Sequence, residues 1–160
     1  MYSAVPGATY MREYLEALLP LVRDGSVEYE GETITARSAL DVRGASPVRV
    51  VLAAMGPKML ELAGGMADGT VTFMTGPKTL ASHIVPRIRG AAERAERPAP
   101  MIAAAMSVTV TDDVADARTR VERRYTTVAA LPSYRTMAIA AGPAIAAPVA
   151  RPNWQPRAIE

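Results

Sequence analysis

The 160-residue chain contains no cysteine, one histidine (His83), one phenylalanine, one tryptophan and only two lysines, Lys58 and Lys78. Without thiols there is no disulfide framework, no thiolate metal site and no cysteine nucleophile. One histidine cannot build a histidine-rich metal cage, and it leaves a serine triad no choice of partner. No nucleophile elbow, zinc motif, Walker loop or dinucleotide fingerprint is present. The first residues carry neither a basic region nor an apolar core of the secretory type, and no apolar run approaches the ~18 residues of a membrane span. A cytoplasmic location is expected. Eighteen basic residues against sixteen acidic ones leave a net charge of +2, too small to imply a nucleic-acid surface.

Hydrophobic residues make up 49% of the chain and charged residues 21%, the balance of one soluble globular domain or part of a larger one. Met11, Leu15, Leu18, Leu19 and Val22 fall at helical spacing, which predicts a helix over 9–23 with Thr9 as N-cap, a kink at Pro20 and a stop at Asp24-Gly25. Val27-Glu28-Tyr29 and Thr33-Ile34-Thr35 read as a small hairpin, an excursion from the main periodicity. Then β and α alternate. Arg49–Met55 is a near-continuous apolar run suited to a strand buried on both faces, followed by a helix from Lys58 to Ala67. Asp68-Gly69 turns into a second strand over 70–75, and a helix over 79–97 follows, with Pro86 expected to kink it. Met101–Val110 reads as a third strand, and Asp112 or Asp113 as the cap of a helix over 114–130. Such a series makes an α/β sheet or barrel, but a whole (β/α)₈ barrel takes about 250 residues. The chain can therefore hold an open α/β sheet or a partial (β/α)₈ TIM barrel, with about three recognisable parallel strands and their helices. The expected division is a barrel segment over 1–137 and an irregular Ala/Pro-rich tail over 138–160.

Both central strands end in the same device, Gly56-Pro57-Lys58-Met59-Leu60 and Gly76-Pro77-Lys78-Thr79-Leu80. Glycine lets backbone approach a ligand or take positive φ, and proline at the first helical position sacrifices no hydrogen bond. The free N–H groups behind it carry the positive end of the helix dipole. A lysine there opposes the dipole unless an anion sits between, so Lys58 and Lys78 point to a bound phosphate. Gly-Pro acting only as punctuation, with both lysines in solvent, is the competing reading.

The remaining candidates read as structural. His83, in a helix beside Ile84, Val85 and Ile88, reads as a packed or surface residue. Asp112, Asp113 and Asp116 read as helix capping, and Arg118, Arg120, Arg123 and Arg124 as a solvated face. The nine methionines read mostly as core filler.

The run Val51–Gly69, containing Ala-Ala-Met-Gly-Pro-Lys-Met-Leu and ending Ala-Asp-Gly, resembles the central segment of luciferase-like flavin or deazaflavin oxidoreductases, especially those similar to methylenetetrahydromethanopterin reductase. Met11–Leu19, the hairpin with Tyr29-Glu30-Gly31, the Met74-Thr75-Gly76-Pro77 turn and the Val110–Asp113 turn resemble the family in the same order, over about 10–137. The resemblance implies a (β/α)₈ barrel that binds FMN or a deazaflavin of the F420 type at its C-terminal strand ends, the deazaflavin branch being the more similar. It places cofactor contacts at Ala53, Ala54, Met55, Gly56 and Pro57 and at Met74, Thr75 and Gly76. Lys58 and Lys78 join them through the dipole argument. No catalytic residue is assigned, because the family strands that supply much of the flavin-ring pocket have no counterpart before Tyr10. The implied activity is hydride transfer between the cofactor and a small organic substrate, with a homodimer or a complementing barrel fragment as partner. A non-catalytic paralogue that binds flavin, and an anion-binding module, are the alternatives. Arg49–Met55 and Met101–Val110 are the expected open sheet edges.

Overall fold

The computed structural model describes residues 7–130 except 43, 47 and 107, so the expected tail over 138–160 lies outside the described residues. Helix α1 (Gly7–Asp24) runs unbroken through Pro20 and ends where Gly25 takes a φ of 81°. Thr9 lies inside this helix, not at its cap. Leu15 and Leu19 are buried against the core, whereas Met11, Leu18 and Val22 are half-buried.

The hairpin is β1 (Ser26–Glu30) and β2 (Thr35–Ala39), antiparallel with Glu30 opposite Thr35. The second strand begins later than the β-propensity of Thr33 and Ile34 suggests, because a carboxylate from α1 captures those residues. Glu13, 7% exposed, accepts from the amides of Glu32 (3.2 Å), Thr33 (2.8 Å) and Ile34 (2.9 Å) and from the Thr33 hydroxyl (2.8 Å). Residues 31–34 thus form the turn, which is closed by the Gly31 amide donating to the Ile34 carbonyl at 2.8 Å.

Three parallel strands follow in the order β3 (Val51–Ala53), β4 (Gly69–Phe73), β5 (Met101–Ala105). Helix α2 (Pro57–Gly65) makes the first crossover. The second is a continuous helical stretch of α3 (Pro77–Thr79), one π turn (Leu80–Ile84) and α4 (Val85–Arg94). This is the expected βαβαβ series, and among the described residues β3 and β5 are its edge strands. Helix α5 (Val114–Ala130) begins where Asp113 Oδ1 accepts from the Asp116 amide at 2.9 Å, so the acidic cluster caps as expected. Arg118, Arg120, Arg123 and Arg124 are all exposed.

Two strands are shorter than the apolar runs that predict them, and each ends for a local reason. At β3 the Val50 amide donates to Asp68 Oδ2 (2.8 Å), which removes it from the ladder. At β5 the ladder stops because β4 turns away at Met74, and Val108 and Val110 are 82% and 91% exposed. Pro86 gives a π turn where a kink is expected: the Val85 N–H reaches back five residues to the Leu80 carbonyl.

Alternation along the strands separates two faces. Leu52, Ala54, Thr70 and Thr72 are buried on the helix side, with Leu60, Leu62, Ile84 and Ile88 completing the core. Full burial of Leu60, Ile84 and Ile88 contributes roughly 1.5–3 kcal/mol each. Ala53, Val71, Phe73 and Ala103 lie on the opposite face, where Ala53 and Phe73 are exposed. The core uses methionine at Met55, Met59 and Met66, but Met101 and Met106 are exposed and do not fill it.

Candidate functional site

The two Gly-Pro turns are copies in geometry as well as sequence. Gly56, before α2, has φ −74° and ψ 152°, and Gly76, before α3, has φ −73° and ψ 163°. Both glycines are extended, so their use here is not positive φ. At Gly56 the space that a Cβ would enter is open, leaving room for close approach to the backbone. In each turn the first helical bond runs from the fifth residue to the glycine carbonyl, Leu60 to Gly56 and Leu80 to Gly76, both 3.0 Å. The Lys58 and Met59 amides, and the Lys78 and Thr79 amides, therefore precede the first intrahelical donor. Neither end has a side-chain cap or an acidic residue in its first turn.

The two strand ends are pinned to each other. The Thr70 hydroxyl sits 2.9 Å from the Leu52 carbonyl and 3.1 Å from the Ala54 carbonyl, and accepts from the Ala54 amide at 3.3 Å. The Thr75 hydroxyl lies 3.3 Å from the Phe73 carbonyl and 3.6 Å from Met55 Sδ. His83 Nε2 lies 3.0 Å from the Met55 carbonyl. Met74 holds a φ of 54°, a left-handed conformation costing about 1–2 kcal/mol for a residue with a side chain, and its amide donates to the Ala105 carbonyl at 3.1 Å. Strain held in place by surrounding contacts concentrates at functional sites.

The structure divides the sequence-derived site residues into groups. Met55, Gly56, Met74, Thr75 and Gly76 lie in the two turns at neighbouring strand ends. Ala54 is 2% exposed, and Thr75, at 4%, has its hydroxyl engaged, so their route to a ligand is through backbone. Ala53 is exposed on the open sheet face. Pro57, Lys58 and Lys78 are exposed. Lys58 lines an open depression of about 560 Å³ with Gly7, Ala8, Thr9, Arg12, Glu61 and Leu62, on the α1 side of α2, so it does not share a cavity with Lys78. A second depression, of about 420 Å³, lies between α1 and the hairpin, and neither covers the strand ends. Among the described residues no cluster of three or more potential metal ligands occurs, and no helix is long and apolar enough to cross a membrane.

Two contacts escaped the sequence reading. His83, whose sequence context reads as that of a packed or surface residue, bridges a strand-end carbonyl and Arg87. Asp68, read as a turn residue, accepts from the Arg23 (2.9 Å) and Arg97 (3.2 Å) guanidinium groups as well as from Val50. Asp68 lies at the N-terminal end of β4, opposite the candidate site, where a barrel's residues serve stability. The contacts of His83 with Met55 and of Asp68 with Val50, Arg23 and Arg97 join residues 18 or more positions apart and leave no periodic trace in sequence.

The 5,10-methylenetetrahydromethanopterin reductase of Methanopyrus kandleri is 34% identical over 93 residues, which are 56% of this chain and 26% of that protein. The solved coenzyme F420-dependent tetrahydromethanopterin reductase of the same organism superposes with a TM-score of 0.57 and 31% identity, over 69% of this chain and 33% of that one. An F420-dependent secondary alcohol dehydrogenase, solved with an F420-acetone adduct, shares the fold at a TM-score of 0.56 and 24% identity, over 65% of this chain and 33% of that one. The chain thus spans a third or less of the length of these relatives. The model of the luciferase-like monooxygenases matches residues 7–157, nearly the whole sequence, and the chain belongs to that family.

Proposed function

We propose that this chain forms the anion-binding end of a deazaflavin site in an oxidoreductase, with FMN as the alternative cofactor. The observation that carries this reading is the paired geometry of the Gly56 and Gly76 turns, which present unfilled helix-start amides at neighbouring C-terminal strand ends. The F420 dependence named for the Methanopyrus kandleri reductase supports the choice of deazaflavin. When bound, the cofactor supplies hydride chemistry with an organic substrate, and the protein supplies binding and orientation. Backbone at Met55, Gly56, Met74, Thr75 and Gly76 lines the approach to the anionic tail, and Lys58 and Lys78 add positive charge around it.

The test is a fluorescence titration of the chain with F420 and, in parallel, with FMN, repeated on Lys58→Ala. Saturable F420 binding, weakened by the substitution, is expected. Thermal unfolding should move the other way: no carboxylate in the first turn of α2 offsets Lys58, so its removal should leave stability unchanged or raise it by about 0.3–1 kcal/mol. Lost stability with undiminished binding would contradict the role given to Lys58, and a folded chain that binds neither cofactor would contradict the reading as a whole.

A further inference from the structure

We propose that His83 is a positioning residue for the cofactor loop, setting the carbonyl orientation at Met55 and through it the presentation of the Gly56–Met59 backbone. The inference rests on the cofactor reading of these strand ends but is carried by a separate set of contacts. His83 is half-buried, with Nε2 3.0 Å from the Met55 carbonyl and Nδ1 accepting from Arg87 Nε at 3.2 Å. The Arg87 group has no acceptor lone pair, so Nδ1 must be the unprotonated nitrogen. The proton is therefore on Nε2 and is donated to Met55. One hydrogen bond fixes the tautomer that the other requires, the usual way an imidazole is held to a single orientation.

The helix is shaped to make this contact. His83 lies in the π turn Leu80–Ile84, just before Pro86, which has no N–H to donate. The wider turn lets Ile84 and Ile88 remain fully buried while His83 reaches the loop after β3, 28 residues away in sequence. Isolated π turns are found frequently at functional sites. Pinning the Met55 carbonyl also limits the next peptide, Met55–Gly56, whose glycine could otherwise rotate freely. Thr75 holds the Met55 side chain and His83 holds its carbonyl, so the loop after β3 is fixed from both the second turn and the helix behind it.

The experiment compares the wild-type chain with His83→Ala, His83→Leu and His83→Gln. Glutamine retains an N–H donor for Met55 and an oxygen acceptor for Arg87, whereas leucine fills the space with neither and serves where alanine fails to fold. Two readouts are taken: amide hydrogen exchange over 54–60 without cofactor, and the Kd for F420 by fluorescence. Faster exchange in that loop, with α1 and the hairpin unchanged, is expected for Ala and Leu. F420 binding should weaken about three- to tenfold in those variants, the range of one net hydrogen bond. Both effects should be largely reversed in His83→Gln. Unchanged loop exchange in Ala and Leu, or a Gln variant as loose as Leu, overturns the proposal. If wild type does not bind F420, the cofactor reading falls on its own, and loop exchange still decides whether His83 orders the loop.

Discussion

Asp68 joins three elements at the foot of the sheet, through the β3 entry, the end of α1 and the chain after α4. It accepts from the Val50 amide and from the Arg23 and Arg97 guanidinium groups. Asp68→Ala leaves the Val50 N–H without its acceptor and removes two charge-assisted bonds, so a loss of about 2–3 kcal/mol is expected in urea unfolding. Burial pushes the Asp68 carboxyl up, but the Val50 amide and the two arginines outweigh it and hold it below its ordinary 3.8. The Thr33 hydroxyl, and then the amides around it, hold the Glu13 carboxyl below 4.5 against its own desolvation. Both groups bind protons more weakly in the folded chain. Their contribution is therefore complete above those ordinary values and is lost as pH falls through the lowered ones. Stability should drop steeply below about pH 4, and Asp68→Asn should flatten that limb.

Tyr29 gives the opposite sign. Its hydroxyl donates to Glu16 Oε2 at 2.7 Å, and that bond, with desolvation and the charges of Glu16 and Glu13, pushes it up from 10 to about 12. The stability it adds is present below 10 and lost as pH rises toward 12. Ultraviolet titration should show one tyrosine ionising near 12, and Glu16→Gln should bring that value down toward 10. None of these contacts is legible in sequence, because each joins segments 13 or more residues apart and depends on packing already formed.

Between elements, periodicity predicts identity well and length poorly. The apolar runs locate β3, β4 and β5, and Asp113 and the Gly-Pro pairs mark helix starts, because these signals are local. The ends of the strands are set by partners: Asp68 takes the amide before β3, and the Met74 turn removes β4 from beside the rest of the third run. Helix packing adds a constraint that glycine content alone does not reveal. A Cβ at Gly64 in α2 would lie 2.2 Å from the Ile88 carbonyl of α4, and one at Gly69 would lie 2.0 Å from the Met101 carbonyl. Both contacts are with backbone, which cannot rotate aside. Gly64→Ala should therefore destabilise the chain by about 1–3 kcal/mol by forcing α2 and α4 apart, measurable as a lowered Tm. A neutral Gly64→Ala would mean that the two helices are not packed as closely as the structure has them.

Over the whole molecule, three parallel strands and their crossover helices form one sector of a barrel, with helices covering one face of the sheet. The other face carries Phe73, 38% exposed, which meets Tyr125 of α5 edge-on at a ring-centroid distance of 6.1 Å. The repeated Gly-Pro-Lys sequence places its two turns on adjacent strand ends, since both its parts are local. It could not show that Ala54 and Thr75 would be sealed inside, that Lys58 would border α1, or that His83 would bond the Met55 carbonyl. Those facts depend on how distant segments pack.

The central claim is that the two turns act as one binding surface. Its most direct test is a two-dimensional amide NMR titration of the chain with F420. Saturable shifts concentrated at Met55, Gly56, Lys58 and Met59 together with Met74, Thr75, Gly76 and Lys78, following one binding curve, are predicted. Saturable shifts confined to one turn, or centred on the depression around Ala8, Arg12 and Glu61, would contradict it.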